Sequence, residues 1–220
     1  MATDKKNVIW NILGASANAF NSLFFTIIVT RVNGINDAGI FTYCFATACL
    51  LYMIGVYAGR TFQVTDTKNQ NSDTDYIYHR VLTCIIMMLV TVIFGVIKGF
   101  EAYKFAVFVA LCLFRCIEAF AESIYAVIQK NKQLYKVGFS MFIKAIVGLA
   151  LFLVIDLITK NMLISCVSVV IVNIVFILLY DVKNIKQVKI TSSKFTKAAI
   201  INLFKIGFFT FALTFLGNYL

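Results

Sequence analysis

The chain contains no proline, so the residue that interrupts many transporter helices is absent from all of its helices. Any kink must therefore arise at glycine, and the candidates within apolar runs are Gly14, Gly55, Gly95, Gly148 and Gly207. The sequence also lacks a P-loop, a glycine-rich dinucleotide loop and an HExxH motif. Because it shows no acid–base or metal constellation either, we expect neither an enzyme nor a cofactor.

Cysteine and histidine give no sign of metal or redox chemistry. The six cysteines all lie in apolar runs and none forms a CxxC pair, so we interpret them as small buried hydrophobic residues. His79 is the only histidine. Because it ends a polar loop, we expect it to be solvated rather than part of a proton relay. The cysteines are Cys44, Cys49, Cys84, Cys112, Cys116 and Cys166.

Apolar residues are abundant: they make up 61% of the 220 residues, and the mean hydropathy is +0.89. A soluble domain is closer to half apolar. Six or seven continuous runs are long enough to cross a bilayer, and they are about twice as long as the alternating strands of a membrane barrel. The sequence therefore predicts an all-α, polytopic helical membrane protein, with one six-helix lobe and the start of a seventh transmembrane helix.

The apolar runs and the polar segments between them divide the chain. We predict a six-helix lobe over residues 1–182, a basic cytoplasmic linker over 183–199, and the start of a second lobe over 200–220. Residues 61–79 read as a polar loop, and the very short turn at 158–161 predicts a tight hairpin between the fifth and sixth spans. Asp156, near the end of the fifth span, is expected at the membrane interface.

The net charge of +10 is unevenly distributed, and its distribution predicts the topology. With the N-terminus in the cytoplasm, the inner segments hold thirteen Lys and Arg and the outer segments four. Basic loops of this kind anchor a protein beside anionic membrane lipids. The charge therefore gives no reason to expect nucleic-acid binding.

The most informative stretch is the fourth span, at 105–136, because it carries ionisable residues inside an apolar run. Arg115, Glu118 and Glu122 fall on one helical stripe, and Tyr125 and Gln129 extend it. A charge inside a bilayer costs several kcal/mol, so such residues usually face a protein interior or an aqueous cavity. We therefore expect the function to lie in the polar interior of a helix bundle.

Two other spans carry polar residues at helical spacing. In the first span, Asn7, Asn11, Gly14, Asn18 and Ser22 share a face. This face is consistent either with hydrogen bonding between packed helices or with the lining of a hydrated cavity.

Lys144 is the notable residue of the fifth span, where it shares a face with Ser140 and Gly148. Two interpretations remain open. Lys144 can form a structural ion pair with Glu118 or Glu122, or it can attract an anionic substrate.

Three stretches in this order resemble a known family. They are NVIWNILGASANAFNSLFF followed by TRVNGINDAGIFTY, then YAGRTFQVTD, then RCIEAFAESIYAVIQKNKQLYKVGFSMFIKAIVGL. Together they resemble the N-terminal half of bacterial polysaccharide flippases. These O-antigen and capsule repeat-unit translocases, or lipopolysaccharide biosynthesis proteins, belong to the multidrug/oligosaccharidyl-lipid/polysaccharide exporter superfamily. The resemblance implies two lobes around a central cavity, with alternating access.

The resemblance also implies the substrate and the setting. Polyprenyl-pyrophosphate-linked oligosaccharide would be flipped across the bacterial cytoplasmic membrane, with a glycan polymerase and glycosyltransferases as partners. Because the chain holds one lobe, we expect either a piece of a longer protein or a partner chain that supplies the missing C-terminal lobe. The candidate cations are Arg115, Lys144, Arg31 and Arg60; the candidate polar contacts are Asn11, Asn18, Tyr125 and Gln129; and the candidate proton carriers or neutralising groups are Glu118 and Glu122.

Two other functions remain open at this point. A cation-coupled multidrug exporter of the same superfamily would bind cationic drugs, so acidic residues should dominate its lumen, whereas acidic and basic residues are nearly balanced in these spans. A non-transporting membrane scaffold, or a fragment without activity, is the third interpretation.

Overall fold

The computed structural model describes residues 2–66, 70–193 and 196–219, and within these ranges every regular element is helical. The helices run in the order α1 (Ala2–Val32), α2 (Ile35–Val56), α3 (Gly59–Thr65), α4 (Asp73–Ile97), α5 (Ala102–Lys130), α6 (Leu134–Thr159), α7 (Met162–Phe176), a π-helical turn (Ile177–Asp181), α8 (Val182–Ile185) and α9 (Lys197–Tyr219).

Six helical segments of the described chain are long and apolar enough to cross a membrane. They comprise α1, α2 with α3, α4, α6, α7 through α8, and α9. Helix α5 is not among the six, because Arg115, Glu118 and Glu122 lie close together in it. Its 29 residues nevertheless extend about 44 Å, enough to span a bilayer. The prediction of an all-α polytopic membrane protein is confirmed.

Helix α5 forms the centre of the bundle, where it packs against α2, α3, α4, α6 and α7. Its Val107, Phe108 and Ala119 are fully buried in the main core. The surrounding helices expose large apolar side chains on their outer faces, such as Val96 at 68% and Leu179 at 71%. This distribution, with apolar residues both inside and outside, is that of a bundle surrounded by lipid.

Helices α1 and α6 pack along each other at a crossing where two glycines meet. A Cβ atom at Gly14 would collide with the carbonyl of Gly138, and a Cβ at Gly138 would collide with the carbonyl of Trp10. The absence of side chains therefore allows direct main-chain contact. The Trp10 ring packs edge-on against Phe139, 5.1 Å away. Hence the polar face predicted for α1 serves packing at this level.

The second span is broken near its end, although it contains no proline. Tyr57, Ala58 and Gly59 follow one another with φ of 29°, 62° and 72°, the left-handed region that favours glycine. The chain then resumes as the short helix α3. Because the break leaves helix carbonyls without intrahelical donors, other groups must bind them.

Arg80 and Thr83 of α4 supply these donors. Thr83 Oγ1 donates to the Gly55 carbonyl at 2.7 Å, as does Arg80 NH1 at the same distance, and Arg80 also donates to the Val56 carbonyl. Arg80 is only 4% exposed. Its side chain is therefore buried against the end of α2, although Arg80 is one of the thirteen basic residues counted in the inner segments.

The predicted loop at 61–79 is wrong at both ends. Helix α3 begins at Gly59, and α4 begins at Asp73 with a capping box formed by Ser72 and Asp75. His79 therefore lies inside α4, where it is 5% exposed and packs against the Tyr57 and Phe204 rings. The expectation of a solvated histidine is wrong. Lys68, counted among the inner charges, lies outside the described residues.

The tight turn between the fifth and sixth spans is confirmed. Lys160 adopts φ 48° after α6, and the Asn161 side chain caps α7. Asp156, near the end of α6, is fully buried in the bundle, where Ser165 of α7 donates to its carboxylate at 3.0 Å. Its level at the membrane interface stays a prediction.

The segment predicted as a linker is partly held against the bundle. Thr191 donates its main-chain N–H and its hydroxyl to Asp73 Oδ2, at 3.0 and 2.8 Å, and Lys130 Nζ lies 3.1 Å from Asp73 Oδ1. The Asn131 amide donates to the Lys189 carbonyl at 3.0 Å. Lys194 lies outside the described residues.

Candidate functional site

The ionisable face of α5 begins with an ion pair in the membrane-spanning part of the bundle. Arg115 NH1 lies 2.6 Å from Glu118 Oε2, three residues on, and the two side chains are 16% and 15% exposed. The guanidinium also lies over the Phe45 ring, 4.7 Å from its centroid, and donates to Cys49 Sγ at 3.1 Å. Arg115 is therefore held by a carboxylate and an aromatic face, the contacts that suit a guanidinium.

The next pair joins α5 to α3. Arg60 NH1 lies 3.7 Å from Glu122 Oε2, and Arg60 Nε donates to Gln129 Oε1 at 2.6 Å. The Arg60 and Glu122 side chains are 19% and 20% exposed, so both remain accessible. The break after α2 makes this contact possible, because it carries Arg60 onto α3 and against α5.

Between α3 and α5 lies a pocket of about 460 Å³. Hydroxyl, amide, guanidinium and carboxylate groups all reach it, so it offers both donors and acceptors. The lining residues are Arg60, Thr61, Val64, Thr65, Glu122 and Gln129. We call this space the outer pocket.

A third polar group lies deeper, between α5, α6 and the π-helical turn. Lys144 Nζ lies 3.2 Å from Asp181 Oδ2 and also donates to the Tyr125 hydroxyl. Tyr125 and Ser140 share a hydrogen bond of 3.0 Å. Two interpretations of Lys144 were left open by the sequence. The ion pair that forms is with Asp181 on the neighbouring element and not with Glu118 or Glu122, and the attraction of an anionic substrate stays a prediction.

Lys144 and Tyr125 also line a small inner cavity of about 30 Å³, which is room for a water molecule and little more. We call this 30 Å³ space the inner cavity. Glu122 lines both the inner cavity and the outer pocket, so the two spaces adjoin there. The polar lining of the inner cavity consists of Asn18, Asn21, Tyr52, Glu118, Glu122, Tyr125, Lys144 and Asn173.

A larger groove, of about 580 Å³, lies on the opposite side of α5 between α4 and the end of α7. Ile117 and Phe120 line it from α5, and Ile85 and Leu178 line it from the neighbouring elements. Helical geometry places Phe120 well away from the stripe of Glu118 and Glu122. This groove therefore offers contacts to hydrocarbon but none to a polar headgroup.

Of the ten predicted site residues, the structure brings eight together and separates two. The outer pocket holds Arg60, Glu122 and Gln129; the inner cavity holds Asn18, Glu118, Tyr125 and Lys144; and Arg115 pairs with Glu118. Asn11 lies instead where α1 crosses Gly138, and Arg31 is exposed at the end of α1 nearest the turn to α2.

The polar face of α1 therefore serves both of the purposes left open by the sequence. Gly14 packs at the crossing, whereas Asn18, one turn further on, reaches the inner cavity. Asn7 bridges to the start of α6, since its side chain accepts from the Tyr135 main chain at 2.8 Å.

Asp181 is the main residue that sequence reasoning missed, because it lies at the very end of the predicted lobe, directly before the basic linker. Its position carries a usable pattern: Asn173, Ile177 and Asp181 recur every four residues and are all buried. Asn173 and Tyr52 were missed as well, and both line the inner cavity.

Comparison of the chain with protein-family models, curated proteins and solved structures finds no match in any of the three. The arrangement of charged and polar side chains along α5, which we call the polar row, is therefore the main evidence on function.

Proposed function

We propose that the chain forms the N-terminal lobe of a flippase that carries polyprenyl-pyrophosphate-linked oligosaccharide across the bacterial cytoplasmic membrane for surface polysaccharide biosynthesis. The N-terminus would lie in the cytoplasm, which places α3 and the outer pocket at the cytoplasmic end of the bundle. The multi-pass fold and the resemblance of the three stretches quoted above support this proposal.

The observation that carries the proposal is the row of partly exposed charged and polar groups along α5. A pyrophosphate needs cationic donors, and guanidinium groups such as those of Arg60 and Arg115 suit phosphate oxygens. Sugar hydroxyls need alternating donors and acceptors, which Thr61, Gln129 and Glu122 offer in the outer pocket.

The charge balance of the row favours the glycan substrate over a cationic drug. Three carboxylates each lie beside a cation, in the pairs Glu118 with Arg115, Glu122 with Arg60, and Asp181 with Lys144. A cavity that attracts a cationic drug should instead hold carboxylates in excess of its basic groups.

The sizes of the two spaces support a cycle of conformations. The outer pocket accommodates a group of several atoms, whereas the inner cavity accommodates about one water. A headgroup that enters beside Glu122 can therefore move further only if helices separate. Alternating access between this lobe and a second lobe is the motion that the family resemblance implies.

The test uses cells that lack the intact gene. Polyprenyl-pyrophosphate oligosaccharide and its distribution between the two leaflets of the cytoplasmic membrane would be quantified, together with surface polysaccharide. We expect lipid-linked glycan to accumulate on the inner leaflet, with loss of surface glycan, and both to recover when the gene is restored.

Two other results would contradict the proposal. Unchanged lipid-linked glycan combined with new drug sensitivity would favour the multidrug exporter. No transport defect, together with co-purification of glycan-assembly enzymes, would favour a scaffold.

A further inference from the structure

The buried pair of Lys144 and Asp181 is not built as a purely stabilising contact. Lys144 is 7% exposed and Asp181 is 1% exposed, so both charges have been removed from water. Such a pair often gives no net stability relative to apolar residues of similar size. In addition, Asp181 Oδ1 is buried and has no hydrogen-bond partner among the described residues. An unsatisfied buried oxygen adds a further cost to the pair.

The two partners differ in what they reach. Lys144 lines the inner cavity beside Glu118 and Glu122, whereas Asp181 does not line it. Asp181 accepts from Lys144 at 3.2 Å and from the Tyr125 hydroxyl at 3.4 Å, so it contacts two lining residues from behind. Any effect of Asp181 on the cavity must therefore pass through Lys144 and Tyr125.

The Lys144 ammonium can contact Asp181 and a group in the inner cavity at the same time. Lys144 has three N–H donors, and Asp181 and the Tyr125 hydroxyl accept two of them. The Tyr125 hydroxyl is fixed in turn by Ser140. Among the described residues the third donor has no acceptor, and because Lys144 lines the inner cavity, this donor is available to a group that enters it.

We infer that Asp181 is a positioning residue for an anionic headgroup, because it holds the Lys144 ammonium and the Tyr125 hydroxyl at the wall of the inner cavity. This inference rests on the proposed function and deepens it: the diphosphate of the lipid carrier meets Lys144 after it has passed Glu122. The chemistry recognised is a phosphate oxygen, for which a lysine acts as a fixed point charge.

The test compares Lys144→Met, Asp181→Asn and the double variant in the purified protein encoded by the gene. Each single variant leaves one buried group without its partner, so we expect the melting temperature to fall by roughly 6 to 20 °C. The double variant should recover most of that loss. Its flipping rate for lipid-linked oligosaccharide should nevertheless stay at least about tenfold below wild type, since the cavity cation is still missing.

Asp156 provides a matched control, because it also joins α6 to α7 through a buried carboxylate with one unsatisfied oxygen. Asp156→Asn should lower the melting temperature but leave the flipping rate per folded molecule unchanged. If the double variant of Lys144 and Asp181 flips substrate at the wild-type rate, the pair only joins helices. The same conclusion would follow if Asp181→Asn alone flips substrate at the wild-type rate.

A binding measurement separates this inference from the proposed function. Inorganic pyrophosphate should raise the melting temperature of the wild type, and its half-saturating concentration should be at least about tenfold higher in Asp181→Asn. The role of Asp181 would be overturned if the half-saturating pyrophosphate concentrations of the two proteins were equal. It would also be overturned if pyrophosphate left the melting temperature of the wild type unchanged, even in a protein that flips glycan lipid. A shift that depends on Asp181 in a protein that flips no glycan lipid would instead overturn the proposed function alone.

Discussion

Alanine at position 138 tests the contact between α1 and α6. The new Cβ would collide with the main-chain carbonyl of Trp10, which cannot rotate away as a side chain could. The two helices must therefore separate, and overpacking of this kind costs about 1–3 kcal/mol, or more against a rigid neighbour.

Gly148→Ala in the same helix is the matched control. Its Cβ would lie 3.6 Å from Val169 Cγ1, which is an ordinary contact. Replacing a helical glycine by alanine there should stabilise the protein by about 1 kcal/mol. The two variants should thus differ by roughly 2–4 kcal/mol in the free energy of unfolding, with Gly138→Ala the less stable.

The measurement is the melting temperature of each purified variant in the same detergent. For a chain of this size 1 kcal/mol corresponds to about 2–4 °C, so we expect a difference of roughly 4–16 °C. A Gly138→Ala protein as stable as Gly148→Ala would refute the direct contact of the two main chains. It would also remove the reason for glycine at that position.

Three further predictions concern other features. Arg115→Ala should strongly reduce surface glycan export without reducing the amount of protein in the membrane; normal export at a normal protein level would remove Arg115 from the site. Arg80→Met should lower the melting temperature by roughly 4–12 °C, since the Val56 carbonyl loses a charged donor and the Gly55 carbonyl is left with the Thr83 hydroxyl, and an unchanged value would show that the break does not depend on Arg80. Ser72→Ala removes the N-cap of α4 and should cost about 1 kcal/mol, or 2–4 °C, whereas Ser16→Ala on the exposed face of α1 should change the melting temperature much less.

Periodicity alone predicted much of the fold and the line of the site. Continuous apolar runs indicate spans because a bilayer sets their length, and the stripe of Arg115, Glu118 and Glu122 follows from helical geometry. The local pairing of Arg115 with Glu118 is of the same kind, because residues three apart on a helix are neighbours.

The partners of Lys144 and His79 could not be predicted in this way. Each is fixed by an element distant in the chain: Asp181 comes from the turn after α7, and Phe204 comes from α9. Spacing within one helix says which residues share a face but not which other helix meets that face.

The break at 57–59 was invisible for a related reason. No proline marks it, and the residues in the left-handed region include Tyr57 and Ala58, whose side chains disfavour it. What stabilises the break is Arg80, a buried donor from the next span. The start of α4 did carry a local pattern, Ser72 followed three residues later by Asp75, which was overlooked inside a polar stretch.

The glycine crossing has a mechanical consequence. Main chains in direct contact cannot slide or compress without a clash, so α1 and α6 near Gly14 and Gly138 form one rigid unit. Asn18 and Lys144 lie just beyond that contact on the two helices, and they therefore move together. Enlarging the space between them and Glu122 therefore requires α1 and α6 to move away from α5 as a pair.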